Sequence, residues 1–554
     1  MFTWRALRLA AAAALLHSAA SAQLQVVSTQ PADAAVGVPT DAMVSAVFSA
    51  PLLPASVNAD SFRVARGGAL LGGVISVEDR TATFSPSPRL CPFAGHQVTL
   101  TTQITDLKGV PLGDQYAFSF ATGDGTWDDS AQHFDGAPNF NSEAQVGADG
   151  NGNSLAVWQQ LSADSSAITL WASRYSPASG WSDPEQIGGP GAGLADLLPR
   201  LAVSRGGSAI VVWQQHDGQR TSMWANRLAP SSGWEGALLL ETDDRGPAFD
   251  PEVAIDAAGN AVAVWRQDIA APYPDPGAFF QVYAAQYVPG VGWSAPGRVS
   301  DRGTPYLGEE TGVAYTSHVA VNDAGDVAVT WRVEVTNTGS KVMARLASAG
   351  TWGPAAFLDT CAPPTCGSIL GFTPRVGLDE AGNAIVVWAQ LLVIGGQATP
   401  FAARYSGGSW TPPYTLRTSE LGAFKPQLAL HPSGRALAVW EYPGAGSANI
   451  YASFFDPASD WQEAVLLTGE KGFGARPAPA YDDAGNALVL WDDQSNIYAN
   501  RFVAGLWGGP TVLQRQNSAR DVRVAVTPGC GNALAVWWGE PMVGSRSVSA
   551  VRFH

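Results

Sequence analysis

Ionisable side chains recur at one position of a repeated sequence pattern, where they could form a polar site. These candidates are Arg200, Glu252, His318, Arg375 and Arg523. The equivalent positions of the other repeats carry Gln145, Gln427 and Ala478, and Arg523 aligns with the set after a one-residue gap. Arginine binds carboxylates through two parallel N–H donors, so three arginines that face one shared space could hold a carboxylate. A solvated polar lining without a ligand is the alternative for the same residues.

The longest insertions between repeats are rich in aromatic and acidic residues. They are 267–281, 301–315, 359–372 and 389–399, and they belong to consecutive repeats. Their candidate ligand-binding residues are Tyr273, Asp275, Phe279, Phe280, Tyr306, Glu309 and Glu310. Aromatic rings offer stacking area, and carboxylates accept hydrogen bonds from sugar hydroxyls or pair with a basic partner. We therefore predict that a ligand docks on the face formed by these loops, although such insertions are also tolerated without any partner.

The frame that must position these residues is a repeat of short strands. Its clearest copy is PEVAIDAAGNAVAVW at 251–265, followed by VYAAQYVPGVGW at 282–293. One tryptophan ends the second strand of each copy: Trp158, Trp213, Trp265, Trp331, Trp388, Trp440, Trp491 and Trp537. Another begins the fourth strand: Trp127, Trp181, Trp234, Trp293, Trp352, Trp410, Trp461 and Trp507. This period is typical of a four-stranded propeller blade, with strands A to D and strand A innermost.

The two tryptophan series are out of phase at the ends of the chain. Trp127 precedes every second-strand tryptophan, and no fourth strand follows Trp537. Pairing residues 125–134 with the last blade would complete that blade and remove exposed sheet edges. The fold class is therefore all-β, and we predict a β-propeller of eight four-stranded blades at 124–554 that residues 125–134 close. An open solenoid is the alternative.

Composition narrows the possible partners. The chain has a formal net charge of −16 and no stripe of basic residues that could neutralise phosphates. We therefore expect no nucleic-acid partner. The Asp-Gly-Asn turns lack the ligand spacing of calcium loops, and neither a zinc-ligand cluster nor a phosphate-binding loop is present. We expect no metal site, no cofactor and a monomer.

The first 22 residues are typical of a secretory signal peptide. Basic residues precede an apolar run at 9–16, and Ala20-Ser21-Ala22 fits a cleavage site. No later stretch is long and apolar enough for a membrane span. We therefore expect a secreted or cell-surface protein, whereas an uncleaved membrane anchor is the alternative.

The cysteines of an exported protein are expected to be oxidised. Cys361 and Cys366 lie five residues apart in one insertion, and we predict a disulfide between them. Cys91 and Cys530 then remain, one in each predicted domain. They could form a second disulfide or stay as two free thiols.

Residues 23–123 alternate apolar and polar residues in short runs, such as MVSAVF at 43–48. The most informative stretches are STQPADAAVGVPTDAMVSAVFSAPL at 28–52, PASVNADSF at 54–62, ATFSPSPRL at 82–90 and ITDLKGVPL at 104–112. On these stretches the segment resembles the bacterial Ig-like domain of S-layer and other surface proteins. The resemblance implies a β-sandwich that serves as a spacer or presentation module, with no catalytic residues.

The repeat resembles sialidase-type and related bacterial propellers. That class uses three arginines for a substrate carboxylate, a Tyr and Glu pair as nucleophile, and an Asp as acid/base. This sequence supplies three arginines but lacks the Arg-Ile-Pro run and the Ser-x-Asp-x-Gly-x-x-Trp boxes, and it has eight repeats where sialidases have six. We therefore favour a non-catalytic binding protein that presents the propeller to a glycan, peptide or protein. The alternative is a glycan-processing hydrolase with its site at the top of the propeller channel.

Overall fold

The computed structural model describes residues 23–136, 141–162, 166–188, 197–242, 246–268, 280–300, 312–335, 339–359, 374–391, 398–416, 423–443, 448–469, 473–515, 518–542 and 545–554. The chain divides into two compact units after Gly123. Within the described residues the structure is all-β, and a 3₁₀ turn at Pro54–Ser56 is the single helical element. No helix in that part of the chain has the length and apolar character to cross a bilayer. The predicted signal peptide at 1–22 lies outside the described residues.

The first unit is a β-sandwich of two sheets. One sheet has the strand order β1-β3-β7-β6 and the other β2-β9-β8-β4-β5. The strands are β1 Val26–Gln30, β2 Ala35–Val38, β3 Val44–Phe48, β4 Phe62–Arg66, β5 Ala69–Leu70, β6 Gly73–Glu78, β7 Thr81–Pro86, β8 Gly95–Leu100 and β9 Tyr116–Thr122. Alternate residues of a strand point to the same face. Phe48, Phe62 and Phe120 consequently lie in one core, and each is at most 3% exposed.

The second unit contains eight antiparallel sheets in its described residues, which we number 1 to 8 along the chain. Their A strands are Asn141–Ala148, Arg200–Val203, Ala248–Ile255, Gly312–Val321, Arg375–Leu378, Phe424–Leu430, Ala475–Tyr481 and Arg520–Val526. Their B strands are Ser154–Leu161, Ala209–His216, Ala261–Asp268, Val327–Val335, Ala384–Leu391, Ala436–Pro443, Ala487–Asp492 and Ala533–Met542. Their C strands are Ile168–Ser176, Thr221–Ala229, Phe280–Val288, Gly339–Ser348, Ala398–Ser406, Ala448–Asp456, Asn496–Val503 and Ser545–Phe553.

Strand D of sheets 1 to 7 consists of two short segments that both pair with strand C. The segments are Gly180–Trp181 and Glu185–Gln186, Gly233–Trp234 and Leu238–Leu239, Gly292–Trp293 and Gly297–Arg298, Thr351–Trp352 and Ala356–Phe357, Ser409–Trp410 and Tyr414–Thr415, Asp460–Trp461 and Val465–Leu466, and Leu506–Trp507 and Thr511–Arg515. Each A strand contacts the A strands of the neighbouring sheets, and strand A of sheet 1 contacts strand A of sheet 8. The A strands are therefore the inner strands.

A tryptophan of strand B fills each junction between neighbouring sheets. The eight strand-B tryptophans are at most 2% exposed. Trp265 of sheet 3 lies in one apolar core with Val212 of sheet 2. In the same way, Trp158 of sheet 1 lies in one core with Val536 of sheet 8. Since burial of an indole removes a large apolar area from water, these tryptophans hold the sheets together.

Sheet 8 includes residues from the beginning of the second unit. The short strand Gln132–His133 pairs with strand C of this sheet, and Trp127 forms a β-bridge with Phe553. The ring centroids of Trp127 and Phe553 lie 5.3 Å apart, close to the 5.5 Å between the corresponding rings of sheet 1. Trp127 thus makes the contact that strand-D tryptophans make in other sheets.

The A–B turns are stabilised by their own polar side chains. Asp256 Oδ1 accepts a hydrogen bond from Asn260 N at 2.8 Å, and Asp256 Oδ2 accepts one from Asn260 Nδ2 at 2.7 Å. Between them Gly259 has a φ of 88°, a conformation that glycine adopts without strain. In the described part of the chain, no group of three or more His, Cys, Asp or Glu side chains is arranged to hold a metal ion.

Cys91 and Cys530 are disulfide-bonded, and no described cysteine is free. The alternative of two free thiols is therefore wrong for these residues. Cys361 and Cys366 lie outside the described residues, so their disulfide stays a prediction.

Candidate functional site

The five ionisable candidates occupy one equivalent position in their A strands, and we call them the inner cluster. Each pairs with the residue just before the strand-B tryptophan, as Arg200 does with Val212. Arg523 pairs with Val536 in the same way. The one-residue gap in the alignment of the last repeat therefore reflects one extra residue in the A–B turn of sheet 8. In this turn Thr527 N donates to Asn532 O, whereas in sheet 3 Asp256 N donates to Asn260 O. The inner strands thus present all five side chains at one level.

A β-bulge comes just before the inner-cluster position. In sheet 3 the pairing register shifts between Phe249 and Glu252. The residue two positions earlier has a left-handed φ between 45° and 54° in every sheet where its φ is described: Glu143, Leu198, Asp250, Lys425, Arg476 and Asp521. This conformation is unfavourable for residues other than glycine, so surrounding contacts must hold it. The bulge bends strand A and sets the direction of the side chain that follows.

A polar residue directly after the strand-B tryptophan holds the bulge of the next sheet. Gln214 Oε1 accepts a hydrogen bond from Asp250 N at 3.1 Å. Glu441 Oε1 accepts one from Arg476 N at 2.7 Å. These residues are not among the site candidates predicted from the sequence. Their signal is a polar side chain next to a buried tryptophan in an otherwise apolar strand, as in VWQQH and VWEYP.

Glu252 joins two arginines of the inner cluster. Its Oε1 lies 3.2 Å from Arg200 Nε and 3.2 Å from Arg375 Nη1. Burial alone would raise the pKa of the Glu252 carboxyl, but the charges of Arg200 and Arg375 outweigh it and lower the pKa to about 2. Glu252 is therefore a permanent anion at neutral pH, and it links sheets 2, 3 and 5.

His318 of sheet 4 lies beside this ion pair as a neutral side chain. Its Nδ1 accepts a hydrogen bond from Val376 N at 3.3 Å. Burial and the charge of Arg375 lower the pKa of His318 to about 4. The imidazole therefore adds no positive charge at neutral pH, which leaves three guanidinium groups and one carboxylate in the inner cluster.

Arg523 is the arginine of the cluster that Glu252 does not bind. Its Nη1 donates to Val522 O at 3.2 Å, and no carboxylate of the described residues forms an ion pair with it. Burial lowers the pKa of Arg523, and so do the charges of Arg200 and Arg375, whereas Asp521 and Glu143 raise it. Arg523 is thus a half-buried cation within electrostatic range of two arginines and two carboxylates.

The positions on either side of Arg523 are uncharged. They are occupied by Gln145 in sheet 1, Ala478 in sheet 7 and Gln427 in sheet 6. Gln145 Nε2 is buried and has no hydrogen-bond partner within the described residues. Ala478 is the smallest side chain of the eight equivalent positions. In one half of the inner cluster, ion pairs join Glu252 to Arg200 and Arg375. The other half contains the N–H donors of Arg523 and Gln145 and the short side chain of Ala478.

Phe280 is the predicted loop residue that the structure describes. Its ring faces Arg266, whose guanidinium carbon lies 4.6 Å from the ring centroid. The same guanidinium lies 5.1 Å from the ring of Phe249 and 5.8 Å from that of Tyr315. Arginine stacks favourably on aromatic faces, so these contacts stabilise the packing of Arg266 against strands of sheets 3 and 4. The remaining loop candidates, Tyr273, Asp275, Phe279, Tyr306, Glu309 and Glu310, lie outside the described residues.

Several carboxyl groups with raised pKa values lie away from the inner cluster. Burial raises the pKa of Asp135, Glu241 and Asp359. Glu241 accepts a hydrogen bond from Met223 N at 3.1 Å, and Asp359 pairs with Lys341 at 3.0 Å. These groups follow the outer strands of their sheets and hold backbone or side chains there. Their contacts assign them a structural role.

Comparison with known proteins identifies the first unit. Residues 20–122 match the family model of the bacterial Ig-like domain, Big_5, so the resemblance predicted for this segment is confirmed. No match was found among curated protein sequences.

Solved structures similar to this chain include propeller enzymes. An ulvan lyase of polysaccharide lyase family PL25 has a TM-score of 0.45 and 11% identity, with 76% of this chain and 95% of the lyase covered. An α-L-arabinofuranosidase of Fusarium graminearum has a TM-score of 0.36 and 15% identity, with 56% and 94% covered. The Trypanosoma rangeli sialidase has a TM-score of 0.33 and 11% identity, with 58% and 56% covered.

Proposed function

We propose that this chain is an exported, non-catalytic binding protein whose second unit holds an anionic ligand, such as a carboxylate, at its inner cluster. The supporting observation is the charge balance of that cluster. Glu252 forms ion pairs with Arg200 and Arg375, whereas Arg523 donates to the backbone oxygen of Val522 and forms no ion pair with a described carboxylate. A half-buried guanidinium without a directly bound carboxylate keeps N–H donors free for a ligand, and an incoming carboxylate would accept two parallel hydrogen bonds from it.

We further propose that the second unit is a closed propeller of eight blades. Each of its eight strand-B tryptophans shares a core with the preceding sheet, and Trp158 shares one with sheet 8. Trp127 contributes to sheet 8 the ring contact that strand D makes elsewhere. A closed ring would give the inner cluster a single central channel, into which residues of sheets far apart in sequence point together.

The pKa values favour binding over hydrolysis. A general acid needs a pKa near the working pH. The pKa of Glu252 is about 2, so this carboxylate is ionised and bound between two arginines. Burial raises the pKa of Asp492, which is the observation in favour of the alternative, a glycan-processing hydrolase. However, the Asp492 side chain is fully buried and bound to Arg476, so it cannot reach a substrate.

The inserted segments of sheets 3 to 5 are the second part of the proposed ligand-binding site. Phe280 and Tyr315 continue into the segments 269–279 and 301–311, whose aromatic and acidic residues we predicted to contact a ligand. We propose that these segments bind the neutral part of a glycan or peptide while the inner cluster binds its carboxylate. Export through the signal peptide at 1–22, with the Ig-like unit as a spacer, would present this face outside the cell.

The first test uses D-glucuronate as the probe and D-glucose as its neutral counterpart. We expect the wild-type protein to bind glucuronate in preference to glucose, and added salt to weaken this binding. Arg523→Gln should weaken glucuronate binding at least about tenfold, because the remaining arginines are already paired with Glu252. Ligand-observed NMR titration of the mature protein measures both affinities.

The control for this test is Arg404→Gln. Arg404 lies in strand C, where its guanidinium packs over Phe455 at 5.3 Å, so it carries the same charge outside the inner cluster. Its replacement should leave glucuronate affinity unchanged. Equal affinity for glucuronate and glucose, or equal losses in the two variants, would contradict the proposal.

A second prediction concerns the space next to Arg523. Ala478→Leu should fill the space that the short alanine side chain leaves beside Arg523. We expect glucuronate binding to fall about tenfold, because a ligand bound by Arg523 would collide with the added atoms. Ala478→Ser adds a single oxygen and should retain binding. NMR titration measures affinity, and thermal unfolding shows whether both variants stay folded. Unchanged binding by a folded Ala478→Leu protein would place the ligand elsewhere.

A further inference from the structure

The junction between sheets 7 and 8 contains a buried ion-pair network. Arg476 Nη2 donates to Asp492 Oδ1 at 2.7 Å, and Arg476 Nε donates to Asp492 Oδ2 at 3.0 Å. Arg476 Nε also lies 2.9 Å from Asp521 Oδ1. The Asp492 side chain is 0% exposed. One guanidinium therefore ties a carboxylate of sheet 7 to a carboxylate of sheet 8.

This network holds the bulge from which Arg523 projects. Asp492 Oδ2 accepts a hydrogen bond from Asp521 N at 3.2 Å, and Asp521 has a left-handed φ of 54°. Trp538 Nε1 donates to Asp521 Oδ2 at 2.9 Å. Both the backbone and the side chain of Asp521 are thus fixed, and Arg523 follows two residues later. Such a conformation persists only where several contacts over-determine it.

At two other junctions the acceptor is a neutral amide. Gln214 Oε1 accepts from the bulge residue Asp250 N at 3.1 Å, and Gln159 Oε1 accepts from Leu197 N, one residue before the bulge residue Leu198, at 2.9 Å. At the junction of sheets 7 and 8, the acceptor is the charged carboxylate of Asp492. It also binds the guanidinium of Arg476, which in turn reaches the bulge residue Asp521. Among the described bulges, the one that precedes Arg523 is thus held by a carboxylate that also binds a guanidinium.

We propose that Asp492 is a positioning residue that acts through Arg476 and Asp521 to fix the direction of the Arg523 guanidinium. Asp492 does not touch the ligand. Its carboxylate accepts hydrogen bonds from Arg476 and from Asp521 N, and this arrangement keeps Arg523 pointed into the inner cluster. The consequence for affinity rests on the proposed anion-binding function, whereas the orientation of Arg523 does not.

The test compares Asp492→Asn with Asp256→Asn. Asparagine keeps the size of Asp492 but places an amide donor against Arg476, so we expect Arg476 to release the bulge and glucuronate affinity to fall about tenfold. Asp256 is also a buried carboxylate, but it lies in the A–B turn of sheet 3, where it accepts hydrogen bonds from Asn260. Asp256→Asn removes the same charge away from Arg476 and Arg523, so binding should change less than about twofold.

A ligand-free measurement separates this inference from the proposed function. Phenylglyoxal modification of Arg523, followed by peptide mass spectrometry, should proceed several-fold faster in Asp492→Asn than in the wild type, because a released guanidinium is more accessible. Asp521→Asn, which keeps the backbone bond, should give an intermediate rate. Failure of the wild type to bind glucuronate would remove the proposed function alone. An unchanged labelling rate in Asp492→Asn, or an equal increase in Asp256→Asn, would overturn the positioning role.

Discussion

Replacing Trp158 with alanine should lower the free energy of unfolding of the second unit by about 3–5 kcal/mol. The indole is 0% exposed and lies in one core with Leu534 and Val536 of sheet 8. Phe134 packs against it edge-on, with ring centroids 5.6 Å apart. Truncation would leave a cavity at the junction between the first and last sheets, and packed surroundings close such a cavity only in part. Chemical denaturation measures the loss.

The control is Trp181→Ala, which removes a half-buried indole from strand D of the same sheet and should have a smaller effect. Trp388→Ala, at the equivalent position of sheet 5, should cost as much as Trp158→Ala if the ring is closed. Hydrogen exchange should also increase in strand B of sheet 8, Ala533–Met542, when Trp158 is truncated. A small effect of Trp158→Ala beside a large effect of Trp388→Ala would indicate an open arrangement.

The strand pattern could be predicted because each repeat carries its own local signals. A tryptophan in strand B and a turn such as Asp256 to Asn260 mark the same two places in successive sheets. The prediction that this tryptophan ends the strand was wrong, because strand B continues one to five residues beyond it. The alternating run of the first unit at 43–48 coincides with β3, Val44–Phe48, within a residue. These features depend on neighbours in sequence, so a single chain suffices to find them.

The bulges and ion pairs could not be predicted because they depend on contacts between sheets. The left-handed Asp250 and Asp521 are ordinary polar residues in the sequence, and only the hydrogen bond from the preceding sheet explains their conformation. Likewise, Glu252 pairs with Arg375 across 123 positions of sequence. Because the inner-cluster residues occupy the same position in each repeat, the sequence predicted that they would lie at one level. It did not predict which of the arginines Glu252 would bind.

Acidification should destabilise the second unit as the pH falls from about 6.5 to about 4, and His318 should account for a loss of up to about 3 kcal/mol. The folded protein has a His318 pKa of about 4, against 6.5 for an ordinary histidine. Between these values the unfolded chain binds a proton that the folded protein does not. Stability therefore rises with pH across this window and is complete above pH 6.5. Denaturation midpoints measured at each pH test this prediction.

Glu252 should cause a separate loss of folding stability at lower pH, because its pKa is lowered from 4.5 to about 2 in the folded protein. Its stabilisation is complete above pH 4.5 and decreases as the pH falls towards 2, where the bonds to Arg200 and Arg375 are lost. His318→Gln should therefore flatten the stability profile between pH 6.5 and 4 while leaving the lower step, and Glu252→Gln should remove the lower step. His216→Gln, outside the inner cluster, should change neither step. If His318→Gln keeps the full slope between pH 6.5 and 4, other groups must titrate there, and the neutral state assigned to His318 beside Arg375 would be wrong.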